Sequence, residues 1–170
     1  MQQQRAGLRR QRRLLQLPGQ RRTRSRPGQT VEARRGGSVT GATAFGLLLA
    51  HLVGDYLIQS HWMASEKTKH WWPAWAHALT YGLPYLLVTR SPIALAAIVI
   101  THALIDHYRL ARHVVWAKNL VAPKAYRKPW AECSATGYPG EAPAWLTVWL
   151  MIIADNAIHL AINAAAVMWL

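Results

Sequence analysis

The sequence predicts an all-α membrane protein, with about four transmembrane helices in one bundle and a disordered basic tail at the N-terminus. Three observations lead to this class. Hydrophobic residues make up 52% of the chain, yet most of them follow residue 40. That part contains four apolar runs close to the length that crosses a bilayer. Each aspartate in the chain also has a histidine one helical turn away.

Residues 1–40 form the predicted tail, which is rich in Arg, Gln, Pro and Gly. The first 35 residues hold 11 of the 20 Lys and Arg residues and one acid, Glu32. They lack the apolar side chains that a core requires, and they do not match a signal peptide. We expect a solvated tail attracted to anionic lipid, because no aromatic residues interleave with the arginines as in a nucleic-acid-binding arm. The remaining alternative is a misassigned start, with the protein beginning at Val31 or Val39.

Residues 41–170 form the predicted transmembrane domain. A 20-residue helix is about 30 Å long, which matches the hydrocarbon core of a bilayer. The second run contains Pro84, which should kink it. A soluble bundle of buried helices is the alternative, but four such runs are too many for a core of this size. The expected spans are residues 41–60, 73–88, 93–108 and 144–170.

Residues 109–143 are predicted to be an interfacial and loop segment. Their first part, RLARHVVWAKNL, mixes basic and apolar residues in the manner of an amphipathic helix at a membrane surface. The second part is rich in Pro and Gly and is predicted as loop. Nine Trp residues against one Phe indicate aromatic belts at the two interfaces. Basic residues counted near the membrane favour a multi-pass arrangement with the N-terminus inside.

The His and Asp residues predict one polar site inside the bundle. With up-and-down threading, the relevant parts of the four spans meet on one side of the membrane. An Asp at mid-helix in lipid costs about 2.5–3.5 kcal/mol, so three separate ones would consume a domain's net stability. We therefore expect them to converge. The predicted catalytic residues are His51, Asp55, His102, Asp106, Asp155 and His159, and His77 joins them as a seventh candidate metal ligand.

The candidate ligands predict the chemistry. Cys133 is the only cysteine, which excludes an internal disulfide and a cysteine-rich metal site. Imidazole and carboxylate together favour zinc, manganese or iron over calcium, which prefers oxygen ligands alone. A water activated by the ion can attack an ester or phosphoester. The sequence therefore predicts a metal-dependent hydrolase acting on a lipid or lipid-linked substrate, with Gln59, Lys67 and Tyr81 as candidate contacts to its headgroup.

Two other functions stay open. The His–Asp pairs can be structural hydrogen bonds that hold together the helices of a non-enzymatic membrane accessory protein. They can also form a proton or ion relay. Bound metal favours the hydrolase, and proton flux favours the relay. A metal-free protein that still folds after Asp→Asn changes favours the accessory protein.

The run H-x-x-x-D-Y-x-x-Q-x-x-W-x-x-x-x-K, from His51 to Lys67, resembles the opening of a family of small bacterial and phage membrane proteins. That family is catalogued as domain of unknown function 3307. The later His and Asp residues also match, so the resemblance extends over roughly residues 43–165. Two positions depart from it, with Arg109 in place of Lys and Asn156 in place of Gln. The resemblance implies a polytopic protein of the bacterial inner membrane and brings no established activity.

Overall fold

The structure is a computed structural model that describes residues 40–170, and this part of the chain contains helices and no strands. Predictions for the Arg-rich tail, namely disorder, contact with anionic lipid and a misassigned start, fall on residues 1–39, outside the described residues. The α-helices are α1 (Gly41–Leu52), α2 (His61–Glu66), α3 (Trp71–Gly82), α4 (Pro92–Tyr108), α5 (Leu110–Asn119), α6 (Trp130–Cys133) and α7 (Ala144–Trp169). A π-helical segment (Val53–Ile58) extends α1. One 3-10 segment (Leu83–Leu87) follows α3, and another (Lys124–Tyr126) precedes α6.

α1 begins where the sequence predicts the first span. Its first N–H groups have no partner within the helix, and the Thr40 side chain accepts a hydrogen bond from the Thr43 N–H at 3.2 Å. After Leu52 the helix widens into the π-helical segment, whose backbone hydrogen bonds join residues five apart. It ends before Gln59, whose backbone is extended (φ −60°, ψ 116°). The regular helix expected to residue 60 is therefore replaced by a wider turn in its last part.

The second expected span changes helical type near Pro84. α3 runs for 12 residues and continues as a five-residue 3-10 segment. Proline has no N–H to donate, and its ring crowds the preceding turn of an α-helix. The distortion predicted at Pro84 is therefore present, as a change from α to 3-10 geometry.

α4 and α5 meet at a sharp corner. Arg109 joins them in the left-handed conformation (φ 52°), and it is the one non-glycine residue among residues 40–170 with a positive φ. The two helix axes differ by 69°. A helix is thus present where RLARHVVWAKNL predicts one, and its location at a membrane surface stays a prediction.

The bundle has an apolar part and a polar part. α4 runs antiparallel to α7, because Ser91 Oγ at its start donates to the Leu170 carbonyl at 2.9 Å, whereas Asp106 near its end lies 3.6 Å from His159. α1 packs against α7, and α3 packs against α4. An apolar cluster fills the part near the start of α4 and supports the polar residues beyond it. Its members are Leu47, Ala50, Tyr81, Tyr85, Ala94, Ile98 and Ala166.

The described residues place polar groups inside the bundle and large apolar groups on its surface. Leu57 is 77% exposed, Leu87 is 89% exposed and Trp149 is 62% exposed. Exposed large apolar residues are numerous along all the longer helices in the described range, and large apolar patches on a protein surface mark sites of interaction with a partner or a membrane. This distribution indicates association with a membrane. The buried polar residues are His51, His77, His102, Asp106, Thr147, His159 and Asn163.

The count of membrane-length helices differs from the four expected. In the part that the structure describes, Gly41–Ile58 and Ala144–Trp169 are long and apolar enough to cross a membrane. α4 has 17 residues and qualifies only when it is joined with α5 into one bent span. The described chain therefore supplies two or three candidate spans. α3 is too short to count as a membrane span, because its α-helix has 12 residues and ends at Gly82, two residues before Pro84.

Candidate metal centre

Six ionisable side chains meet inside the polar part of the bundle. They come from α1, the π-helical segment, α3, α4 and α7, and they are six of the seven residues for which the sequence predicts convergence. The four histidines are no more than 1% exposed, and Asp106 is 7% exposed. The six residues are His51, Asp55, His77, His102, Asp106 and His159.

Three ligand atoms form a triangle at the centre of this cluster. Asp55 Oδ1 lies 3.2 Å from His77 Nε2 and 3.5 Å from His102 Nε2. The two Nε2 atoms are 2.9 Å apart. Tetrahedral ligands at zinc bond lengths of 2.0–2.1 Å would stand about 3.3–3.4 Å from one another. The triangle therefore has close to the dimensions of one face of a tetrahedral coordination shell.

Asp55 Oδ1 is buried and accepts no hydrogen bond from any residue in the described range, 40–170. The nearby imidazole nitrogens approach it without hydrogen-bond geometry. Buried carboxylate oxygens nearly always have a partner, and leaving one without costs about 1–3 kcal/mol. A cation at the triangle would satisfy this oxygen.

A second group of ligand atoms shares His102 with the first. Asp106 Oδ2 lies 3.2 Å from His102 Nε2 and 3.3 Å from His77 Nε2, and Asp106 Oδ1 lies 3.6 Å from His159 Nε2. His102, Asp106 and His159 therefore also meet closely enough to hold an ion. Because His102 belongs to both groups, we treat them as alternative ligand sets of one centre.

His51 uses both of its ring nitrogens in hydrogen bonds. Nε2 lies 3.2 Å from Asn156 Oδ1 and donates to it, and Nδ1 lies 2.8 Å from the Tyr81 hydroxyl and accepts from it. Asp55 Oδ2 is also 3.4 Å from Nδ1. Neither nitrogen then has a free lone pair for a metal. The structure thus places His51, predicted as a ligand and catalytic residue, beside the triangle in a position to orient its neighbours.

Tyr81 links the cluster to a buried polar network. Its hydroxyl lies 2.9 Å from the Tyr85 hydroxyl and 2.6 Å from Asn163 Nδ2, and Asn163 Nδ2 also lies 2.6 Å from the Tyr85 hydroxyl. Each hydroxyl then has a donor and an acceptor. The Tyr81 ring stacks on His102 with 3.6 Å between centroids. Tyr81, predicted to contact a headgroup, is instead fully buried and positions two histidines.

The close approach of Tyr81 depends on Gly54 in the π-helical segment. A Cβ atom at this position would lie 2.4 Å from Tyr81 Cδ2. Single π-helical turns within α-helices frequently occur at functional sites. Here the segment brings Gly54 against Tyr81 and carries Asp55 to the triangle.

We expect Gly54→Ala to lower the free energy of unfolding by about 1–3 kcal/mol, since the added methyl group must displace the Tyr81 ring. Thermal unfolding of the purified protein in detergent measures this change. Gly46→Ala is the matched control, because its Cβ would meet Val88 Cγ2 at 3.5 Å, an ordinary contact. Equal stability of the two variants would contradict the tight packing at Gly54.

The cluster is bordered by two residues that follow helical segments, Gln59 after the π-helical segment and Lys67 after α2. Lys67 Nζ donates to Asp106 Oδ2 at 2.7 Å. The Gln59 amide, oriented with its oxygen as acceptor, accepts from Lys67 Nζ at 2.7 Å and, when His77 Nε2 carries a proton instead of a metal ion, from that nitrogen at 3.1 Å. His107 Nδ1 donates to the Lys67 carbonyl at 2.9 Å. Two of the three predicted headgroup contacts, Gln59 and Lys67, therefore lie beside the ligand atoms.

Asp155 lies at the rim of the cluster. Its side chain is 27% exposed, and its Oδ2 lies 3.6 Å from His159 Nε2. It lines a cavity together with Lys67 and Asp106. The structure therefore separates Asp155 from the triangle, although the sequence groups it with the other aspartates.

Three residues of the surrounding network are absent from the sequence-based prediction. Tyr85 and Asn163 each follow a predicted residue by four positions, in the series His77–Tyr81–Tyr85 and Asp155–His159–Asn163. The same helical periodicity could have identified them. Asn156, the hydrogen-bond partner of His51, has no such signal.

These features define an all-helical protein with a buried His/Asp cluster between packed helices. Residues 44–126 match a family model described as "Protein of unknown function (DUF3307)", which confirms the family resemblance indicated by the motif from His51 to Lys67. The matched stretch contains the whole triangle, whereas Asp155 and His159 lie beyond it. No curated protein and no solved structure matches the chain.

Proposed function

We propose that Asp55, His77 and His102 bind one divalent metal ion and that the protein is a membrane-embedded, metal-dependent hydrolase. Three ligand atoms support this proposal, because they lie within 2.9–3.5 Å of one another. One of them, Asp55 Oδ1, is a buried carboxylate oxygen without a hydrogen-bond partner among the described residues. Nitrogen and oxygen ligands suit zinc, manganese or iron. Three protein ligands also leave a position for water or substrate, as in catalytic zinc sites.

The proposed reaction is hydrolysis of an ester or phosphoester in a lipid or lipid-linked substrate. The ion would polarise the substrate oxygen and activate a water molecule. Asp155 stands at the cavity side of the cluster, where its carboxylate can take a proton from the attacking water. Asp106 and His159 lie between Asp155 and the triangle, so polar side chains connect the cavity with the proposed ion site. We propose a lipid or lipid-linked substrate because large apolar side chains cover the surface of the bundle around the site.

We propose that α3 with its 3-10 segment and α4 also lie within the bilayer, which gives four membrane helices. Spans of this length are short, but bilayers thin locally around short spans. Packing against α1 and α7 supplies them with buried neighbours. α5 then lies along the surface. The basic residues near the membrane favour an inside location for the N-terminus.

Cysteine labelling tests this topology. On a Cys133→Ser background, single cysteines at Lys69 and Ala135 should react with a membrane-impermeant reagent from the same side. Cysteines at Arg90 and Leu170 should both react from the other side, because the second and the fourth span each return the chain to the side on which it began. With the two long spans alone, Arg90 would react from the same side as Lys69. Opposite sides for Lys69 and Ala135 would contradict the four-helix arrangement.

The metal content of the purified protein tests the proposed centre. The protein is purified without a His-tag, dialysed against zinc, manganese and iron in turn, and analysed for metal per chain. We expect one ion per chain with at least one of the three metals. A ratio near zero for all three would overturn the proposal.

A structural role for the His–Asp pairs is the second candidate, and Lys67 is the observation that favours it. Its ammonium group lies 2.7 Å from Asp106 and compensates that carboxylate without a metal ion. If the pairs only hold helices together, the wild type and the Asp→Asn variants alike should bind no metal. The variants should lose about 0.6–2 kcal/mol of stability for each interhelical hydrogen bond.

A further inference from the structure

A cavity of about 370 Å³ opens beside the proposed metal centre. Asp106 belongs both to its lining and to the cluster, and Lys67 lines the cavity and donates to Asp106, so the cavity adjoins the cluster. We propose that this cavity binds the phosphate group of an amphiphilic phosphate ester. This inference rests on the proposed function and names its substrate class. The residues that carry it are Lys67, Arg109, Asp106, Asp155, Met151 and Ile152.

The charges around the cavity favour an anion once a divalent ion is bound. Two cationic side chains, Lys67 and Arg109, line it. Together with a divalent ion they exceed the charge of the three nearby aspartates by one. Ammonium and guanidinium groups form strong, charge-assisted hydrogen bonds to phosphate oxygens. The cavity therefore offers a phosphate both a metal ion and two donors.

Both cationic residues are held in place from outside the cavity. The Lys67 backbone accepts from His107 at 2.9 Å. Arg109 Nη2 donates to the Ala135 carbonyl at 2.9 Å, and its backbone forms the corner between α4 and α5. A donor that is already positioned loses less entropy on binding. The remaining N–H groups of Arg109 are available to a ligand.

The apolar wall of the cavity selects the rest of the ligand. Met151 and Ile152 of α7 face the cavity beside Asp155. A hydrocarbon chain attached to the phosphate can bury apolar area there, whereas inorganic phosphate cannot. We therefore expect a phosphate ester with an apolar group to bind more tightly than free phosphate.

Binding of dihexanoyl phosphatidic acid to the metal-loaded protein tests the inference. Calorimetry is carried out in a maltoside detergent, which contains no phosphate, with inorganic phosphate and dihexanoyl glycerol as comparison ligands. We expect phosphatidic acid to bind at least tenfold more tightly than either. Lys67→Met and Arg109→Met should each weaken its binding at least tenfold.

Arg112→Met is the matched control. Arg112 also anchors the segment after α6, since its Nη1 donates to the Ser134 carbonyl at 3.0 Å, but it does not line the cavity. We expect less than a twofold change in phosphatidic acid binding for this variant. Arg109→Met decides the outcome if Lys67→Met disturbs folding, because Arg109 makes no contact with the ligand triangle.

Metal analysis on the same samples separates the two proposals. If the metal-loaded protein binds phosphatidic acid equally well with and without the Lys67→Met and Arg109→Met substitutions, the phosphate site is overturned and the metal centre stands. Equal binding of dihexanoyl glycerol or inorganic phosphate would also overturn it. A metal-free wild type that binds phosphatidic acid through Lys67 and Arg109 would overturn the metal centre and retain the phosphate site.

Discussion

Asp55→Asn, His77→Gln and His102→Gln are each expected to abolish stoichiometric metal binding. Each substitution removes one of the three ligand atoms and leaves two protein ligands, where catalytic zinc sites use three. The measurement is metal per chain after dialysis against the metal that the wild-type protein retains. Because the ligands act as a unit, a double variant should bind no worse than a single one.

His61→Gln and His113→Gln serve as controls, since neither residue approaches the ligand atoms. His113 stacks on Trp130 at 4.3 Å between centroids, and His61 contacts Ser65 within α2. Both variants should keep one ion per chain. Metal retained by Asp55→Asn and His77→Gln but lost by His102→Gln would place the ion at His102, Asp106 and His159. Metal retained by all three variants would place it elsewhere, and either result would contradict the assignment. Wild-type affinity should also fall at acidic pH, because protonated imidazole cannot coordinate.

His51→Gln distinguishes a positioning residue from a ligand. Both nitrogens of His51 are used by Tyr81 and Asn156, so its replacement should weaken metal binding without abolishing it. Loss of an outer hydrogen-bond partner typically costs about 10–100-fold in metal affinity. Complete loss of metal in this variant, with folding intact, would instead make His51 a ligand.

Tyr81→Phe is expected to lower the free energy of unfolding by about 1–3 kcal/mol, because it leaves buried polar partners without a hydrogen bond. The lost hydroxyl serves His51, Tyr85 and Asn163 at 2.6–2.9 Å. Metal affinity should fall less than in His51→Gln, because the ring that stacks on His102 is retained and only the hydroxyl bonded to His51 is lost. Thermal unfolding and metal titration measure the two effects separately.

Tyr56→Phe makes the same chemical change at the surface. Tyr56 is 54% exposed, and its hydroxyl accepts one hydrogen bond, from Asn156 at 2.8 Å. Water or lipid headgroups can replace that bond, so we expect a change in stability below about 0.5 kcal/mol. Similar losses for Tyr56→Phe and Tyr81→Phe would contradict the role of the buried network.

The helical fold and the meeting of His77, His102 and Asp106 follow directly from the sequence. Four-residue spacing places side chains on one helix face, and the cost of a charged group in an apolar interior drives such faces together. Those arguments depend only on local periodicity and on burial. In the structure, the predicted His and Asp ligands all meet in the cluster except Asp155, which faces the cavity and is partly exposed.

The details around Asp55 could not be predicted in this way. The assumption of a regular α-helix pairs Asp55 with His51, and the two side chains do lie 3.4 Å apart. The other carboxylate oxygen, Asp55 Oδ1, lies 3.2 Å from His77 Nε2, and the π-helical turn that carries it there is not predicted by the spacing. That turn is stabilised by tertiary contacts, above all Tyr81 against Gly54, which periodicity does not encode. Lys67 reaches Asp106 through the end of α2, and sequence spacing gives no distance between residues 39 positions apart.

The corner at Arg109 also sets a depth. His102, the proposed ligand on α4, stands seven residues before it, which is about 10.5 Å along the axis of α4. If α4 lies along the membrane normal, the 69° bend lays α5 almost flat at the boundary between lipid and water. The proposed metal centre then lies about two helical turns beneath that boundary. A charged headgroup could reach it from the interfacial layer while its hydrocarbon chains stay in the bilayer.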